Sequence, residues 1–243
     1  MGKPPRPGRP VFALGPYNEE NDIKILAILG SPHGMKGSTG QLLTEVLHGA
    51  QHAGATTALL SLADYDVKPC QACNVCHKTG ACAIHDDYGK FKAALLNADG
   101  VILASPNYIF SVSAQMKALM DRCCGTLHCV ALRDKYAAAV VTSGGGGEDN
   151  VGQYLLRFLQ SMGCWAVGAV GAKGAELADS AAKANRFEAA RDLGAQLVRS
   201  IQDRSTFPEQ VAPRMAFQER MKHLVESQKD AWTFEYEYWQ SHG

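Results

Sequence analysis

Half of the eight cysteines of this chain fall within residues 69–87, PCQACNVCHKTGACAIHDD, as Cys70, Cys73, Cys76 and Cys82. Their spacing is C-x2-C-x2-C-x5-C. Three thiols at successive two-residue gaps can converge on one small object. The turn at Lys78-Thr79-Gly80 lets the chain fold back and bring the fourth. Thiolates select soft metals, and sets of four sulfurs suit zinc or an iron–sulfur cluster. Structural zinc sites usually pair two separated hooks. A run this compact is closer to the bacterial cluster run C-x2-C-x2-C, although the proline that usually follows the fourth cysteine is missing. A [4Fe-4S] cluster is therefore expected here, with a zinc staple or reduced thiols as the alternatives.

Those thiols need a scaffold. The chain has 243 residues, 46% hydrophobic and 20% charged, which suits one sizeable globular domain with appendages. Its 24 basic and 24 acidic residues cancel, which argues against nucleic acid or a membrane surface as a bulk electrostatic partner. No stretch approaches the roughly 18 uninterrupted apolar residues of a membrane span. Residues 1–22 carry positive charge but no apolar core of signal-peptide length, and read as a flexible lead-in. Eight cysteines without an export signal imply reduced thiols and a cytoplasmic location.

Residues 24–30, KILAILG, form a continuous apolar run ending in glycine, the pattern of a strand buried on both faces of a parallel sheet. A loop of small residues follows, SPHGMKGSTG at 31–40, and then a helical pattern carrying Leu42, Leu43, Val46 and Leu47. Such a loop offers backbone N–H groups, hydroxyls and the positive end of a helix to a phosphate. It is neither GxGxxG nor GxxxxGK followed by Ser or Thr, so no nucleotide fingerprint is present. The alternative is a simple turn capped by Ser38 or Thr39. Further strands are predicted at 56–62, 100–105, 136–142 and 166–171. Helices are predicted to about 97, over 114–123, over 151–162 and over 179–202. The first of these has Asp86 or Asp87 as its cap, with Phe91, Leu95 and Leu96 on one face.

Alternating strands and helices imply βαβ units and a doubly wound, flavodoxin-like α/β domain over residues 23–204, with a five-stranded parallel sheet. Ligands in such a fold sit at the carboxyl ends of the strands. The loops at 31–40, 106–113 and 143–150 follow the first, third and fourth strands, and the cysteine loop follows the second. All four therefore lie on one edge of the sheet. Residues 205–243 form a C-terminal extension in which Phe207 and Pro208 break the preceding helix and residues 215–226 form a short amphipathic one. Five aromatics lie within residues 232–239 and are costly to leave in water. They are expected to pack on the domain or on a second subunit, with a subunit arm favoured.

With the loops placed, the chain resembles the NAD(P)H-dependent FMN reductase superfamily, and within it the iron–sulfur flavoproteins, over roughly residues 24–204. The resemblance is carried by Gly30-Ser31-Pro32 with Gly37-Ser38-Thr39 and by the four loop cysteines. It is carried also by the Ser105-Pro106-Asn107-Tyr108 turn, with Lys117, Asp121 and Arg122 on the next helix, and by Thr142-Ser143-Gly144-Gly145. The first loop departs from the pattern: it is one residue longer, and Ser38 stands where asparagine is common. The resemblance implies FMN at this edge, with Ser31, Ser38 and Thr39 on its phosphate and His33 assisting. Pro106, Asn107, Tyr108, Ile109, Phe110, Ser143, Gly144 and Gly145 would line the isoalloxazine. Tyr108 and Phe110 as plain core aromatics are the alternative.

The resemblance further implies an electron-transfer flavoprotein in which FMN and a [4Fe-4S] cluster on Cys70, Cys73, Cys76 and Cys82 work together in a homodimer or homotetramer. Electrons would come from NAD(P)H or a small redox carrier and go to a small acceptor such as a quinone, a flavin or an oxygen species. The competing reading is a cluster-free NAD(P)H-dependent FMN or quinone reductase whose cysteine loop is structural or binds zinc. A redox-inactive scaffold is opposed by the phosphate-type loop. Cys123, Cys124, Cys129 and Cys164 are expected to be structural thiols.

Overall fold

Apolar runs at regular intervals become strands because only a parallel sheet covered on both faces removes all of their side chains from water. The computed structural model describes the backbone of Phe12 and Ala13 and all of residues 23–242. The lead-in expected over residues 1–22 otherwise lies outside the described residues. The elements are β1 (Phe12–Ala13), β2 (Lys24–Leu29), α1 (Ser38–His52), β3 (Thr56–Ser61), α2 (Val75–Thr79), α3 (Tyr88–Asn97), β4 (Gly100–Pro106), α4 (Ala114–Arg122) and α5 (Cys124–His128). They continue with β5 (Tyr136–Ser143), α6 (Glu148–Ser161), β6 (Trp165–Lys173), α7 (Gly174–Ala178), α8 (Ser180–Gln202), α9 (Pro208–Ser227) and α10 (Thr233–His242). No described helix is long and apolar enough to cross a membrane.

The sheet order is β1-β3-β2-β4-β5-β6. Strands β2 to β6 pair in parallel, and β1 adds two antiparallel residues to the β3 edge. The five parallel strands follow the flavodoxin-like order, with its reversal between β2 and β4. Alternate side chains of β2 enter two separate cores. Ile25, Ala27 and Leu29 pack with Leu43, Val46, Leu197 and Val198 of α1 and α8. Leu26 and Ile28 pack with Phe91, Met116, Leu119 and Leu155 of α3, α4 and α6.

Several boundaries differ from those predicted, each for a local reason. Helix α6 starts at Glu148 rather than 151 because Gly147, at φ 82°, turns the chain directly into it. Pro208 does not only end one helix; it starts α9, because a proline at the first helical position loses no hydrogen bond. Leu96 is 40% exposed and does not share the buried face of Phe91 and Leu95, which are four residues apart. The one-turn helices α2 and α5 are too short to leave a periodic signal.

Helices α1 and α8 cross at two glycines. A Cβ on Gly194 would lie 1.9 Å from the Val46 carbonyl oxygen, and one on Gly49 would lie 1.9 Å from that of Arg191. Gly194→Ala is therefore expected to push the helices apart and to lower stability by about 3 kcal/mol. A urea midpoint unchanged from the wild type would show that the layer yields instead.

Candidate functional site

Three loops meet where the sheet order reverses. Ser31, His33, Ser38 and Thr39 from the loop after β2 line one open cleft of about 220 Å3. Pro106, Asn107 and Tyr108 after β4 complete it, with Thr142, Ser143 and Gly144 at the end of β5. Hydrogen bonds tie these loops together. The Gly30 N–H donates to the Ala104 carbonyl at 2.7 Å, and the Asn107 N–H donates to the Thr142 carbonyl at 2.7 Å. Ser113 Oγ donates to the Gly30 carbonyl at 2.6 Å, and Asn107 Nδ2 donates to the Gly146 carbonyl at 2.8 Å. The hydroxyls of Thr39 and Thr142 meet at 2.6 Å, joining α1 to β5.

Helix α1 opens into this cleft. Its N-cap is Gly37, with no side-chain capping bond. A turn capped by Ser38 or Thr39 is thus not what forms, and neither hydroxyl is spent on the helix. The first-turn N–H groups have no intrahelical partner, and the positive end of the helix faces an anion placed there. Asn107 Oδ1 is buried without a hydrogen-bond partner. These features suit FMN: donors for a phosphate at one end and an unmet acceptor for a ring N–H at the other.

The cysteine loop leaves β3 on the same edge. Ala72, Asn74 and Gly80 take positive φ of 52°, 61° and 71°, which bends the chain sharply around α2. Cys70 and Cys73 are exposed, whereas Cys76 and Cys82 are half-buried. Burial pushes the Cys76 thiol up to about 11, helped by the charges of Cys124, Glu235, Cys82 and Cys70. It therefore stays protonated until a metal displaces the proton.

The base of the loop is a buried ion pair. Asp86 and Arg122 side chains are both 0% exposed. Arg122 donates to the two Asp86 oxygens at 2.7 and 3.1 Å and to the Lys68 carbonyl at 2.9 Å. Asp86 also accepts the N–H groups of Lys68 and Tyr88. Burial works against the Asp86 charge, but these donors outweigh it and lower its pKa. Arg122 Nε is buried without a partner. Burial opposes the Arg122 charge as well, yet Asp86 and the Cys82 thiol more than restore it. A metal-bound thiolate at Cys82 would set a negative charge beside this guanidinium, which the neutral thiol does not.

The family model for NADPH-dependent FMN reductases matches residues 23–176. The chain belongs to that family. An iron-sulfur flavoprotein of Methanocaldococcus jannaschii is 39% identical over 138 residues, covering 56% of this chain and 71% of that one. One from Archaeoglobus fulgidus is 27% identical over 225 residues, covering 91% and 99%. A flavodoxin-like WrbA-like protein from Agrobacterium tumefaciens shares the fold, with a TM-score of 0.54 and 20% identity over 76% of this chain and 100% of that one. This member of the FMN reductase family is a flavin-dependent oxidoreductase.

Most of the residues expected around its flavin share the cleft, but Ile109, Phe110 and Gly145 do not line it. Ile109 and Phe110 form the two-residue turn of a tight hairpin between Tyr108 and Ser111, at φ 48° and 63°. They are 91% and 90% exposed, so Phe110 is not a core aromatic. Tyr108 is 42% exposed at the cleft wall, and His33 is exposed at the rim. Thr142 was not among the expected site residues. Its sequence signals are its place at the head of the Thr142-Ser143-Gly144-Gly145 turn and a hydroxyl at the end of a buried strand.

The expected subunit arm is folded back on its own chain. Trp232 stacks on His77 and His128 at 4.5 and 4.9 Å, and Thr233 Oγ1 donates to the Lys78 carbonyl. Phe234 covers Gly80, and Trp239 Nε1 donates to the His128 carbonyl. Trp239 is buried by this packing and Trp232, Tyr236 and Tyr238 are half-buried, while Phe234 stays 37% exposed over the cysteine loop. Among the other cysteines, Cys123, Cys129 and Cys164 are buried, but Cys124 is half-buried beside Cys76.

Arg122→Met would leave the Asp86 carboxylate buried without its partner. Stability is expected to fall by about 3 to 5 kcal/mol in chemical denaturation. A loss within experimental error would show that solvent reaches the carboxylate.

Proposed function

We propose that this protein is an electron-transfer flavoprotein that holds FMN in the cleft and a [4Fe-4S] cluster on the four-cysteine loop. The observation that carries this reading is the position of the loop: it leaves the sheet after β3, from the same edge as the cleft. The names of the archaeal relatives support it.

In this reading the first turn of α1, with Ser31, Ser38 and Thr39, holds the FMN phosphate, and His33 stands at the rim. Pro106, Asn107, Tyr108, Ser143 and Gly144 lie along the ring, with Ile109, Phe110 and Gly145 at the lip. Asn107 Oδ1 gains the donor it lacks. Cys70, Cys73, Cys76 and Cys82 would ligate the cluster, and the Arg122 guanidinium would offset charge on the Cys82 thiolate. Bound FMN exchanges one or two electrons and a cluster only one, so the pair supplies conversion between the two kinds of transfer. The donor is NAD(P)H or a small redox carrier, and the acceptor is a small molecule such as a quinone, a flavin or an oxygen species. The protein works in the cytoplasm as a homodimer or homotetramer.

Protein purified without oxygen is expected to carry about four irons, four sulfides and one FMN per chain. Cys76→Ser is expected to lose the iron and keep FMN. Full iron in that variant would remove Cys76 from the ligand set. FMN without iron or sulfide in the wild type would leave a plain NAD(P)H-dependent flavin reductase.

Thr39→Val removes a hydroxyl from the phosphate end of the cleft. FMN affinity is expected to fall about tenfold, the worth of one hydrogen bond to a charged group. An unchanged dissociation constant would exclude Thr39 from the contact.

A further inference from the structure

We propose that His77, Cys124 and His128 form a second, mononuclear metal site, distinct from the four-cysteine set, for zinc or another divalent ion that takes mixed thiolate and imidazole ligands. Potential donor atoms of these three side chains all lie within 4.8 Å of one another. Cys124 Sγ stands 3.6 Å from His128 Nε2. A tetrahedral zinc with ordinary Zn–S and Zn–N bonds separates a sulfur from a nitrogen by about 3.6 Å. The contact is therefore already the length that an ion between them requires.

The orientation of the rings supports the same assignment. Glu235 is 0% exposed and reaches both histidines. Its Oε1 lies 2.5 Å from His77 Nδ1, and its Oε2 lies 3.0 Å from His128 Nδ1. One carboxylate thus occupies both Nδ1 atoms and leaves Nε2 of each ring as the atom to face an ion, that of His128 already against Cys124 Sγ. Carboxylates play this part behind metal-bound histidines, where they fix the tautomer and raise ligand basicity. The two imidazoles and Trp232 are held near-parallel, with interplanar angles of 17°, 26° and 18°. His77 is 4% exposed, so rotation away from this arrangement is blocked.

The three donors come from α2 and α5, and the carboxylate behind them from α10. An ion here pins the helix that carries Cys76 to the helix after α4. Uptake displaces the Cys124 thiol proton and the proton on His128 Nε2 and releases both to solvent, with no electron transferred. Three protein donors leave the fourth tetrahedral position to water or a small ligand.

The test is metal analysis of the full-length protein, purified without oxygen and without a metal-affinity tag. About one zinc per chain is expected beside the iron. Cys124→Ser is expected to lose the zinc and keep iron and FMN. Glu235→Gln is expected to weaken zinc about 10- to 100-fold with iron unchanged. Cobalt added to zinc-free wild-type protein is expected to show a thiolate-to-cobalt charge-transfer band, which decides the matter if a variant does not fold. Three results would overturn the proposal. One is wild-type protein that holds no zinc and leaves cobalt hydrated. Another is Cys124→Ser losing iron together with zinc, which would put Cys124 on the cluster. The last is zinc that survives Cys124→Ser but not Cys73→Ser, which would put the ion on the loop.

Discussion

Parallel pairing is the constraint on which the rest of this molecule depends. Each of β2 to β6 runs in the same direction, so each connection must cross a face of the sheet and return to the starting edge. Every loop that follows a strand then opens on one side. Register adds to this: Leu29 lies level with Ser61 of β3 and Ala104 of β4, so the loops leave at nearly the same height. The hydroxyl contact between Thr39 and Thr142 closes the remaining distance from α1 to β5. Hydroxyls, a helix end and a cysteine-rich segment are thereby gathered from positions more than a hundred residues apart.

The sheet was legible in the sequence because a strand buried on both faces must be apolar throughout, as in KILAIL and GVILAS. The loop between β2 and α1 was legible because small residues stood between such a strand and a helical pattern. The lip of the cleft was not. Ile109 and Phe110 are apolar and read as lining residues, yet they occupy a turn whose left-handed backbone ordinarily falls to Gly or Asn. Nothing in residue type announces that two large side chains will stand in solvent there. The group around Glu235 was equally hidden. His77, Cys124, His128 and Glu235 are separated by up to 158 residues, and no spacing rule connects them. Cys124 in particular looked like any cysteine near a helix end.

The cysteine loop itself owes little to apolar burial. It is held by two buried carboxylates, Asp86 at its base and Glu235 against α2. Burying charge is costly unless it is paired with good geometry, and both carboxylates meet at least two donors. Such pairs add little net stability over an apolar packing of the same volume. What they supply here is direction, since a carboxylate with fixed partners sets the angle as well as the distance of the segment it anchors. The aromatic segment over the loop then buries His77 of α2 and leaves Lys78 and Thr79 in solvent.

The contact between α1 and α8 carries an evolutionary consequence. At Gly49 and at Gly194 the atom that a methyl group would strike is a main-chain carbonyl oxygen. A collision with a side chain can be relieved by trimming that side chain elsewhere in the sequence. A collision with the main chain has no such remedy, because every amino acid carries the same carbonyl. These two positions are thus closed to compensated drift, and the spacing between the helix that opens the cleft and the long helix behind it is written in backbone alone. The surrounding side chains of that layer are free to vary in shape without moving the cleft.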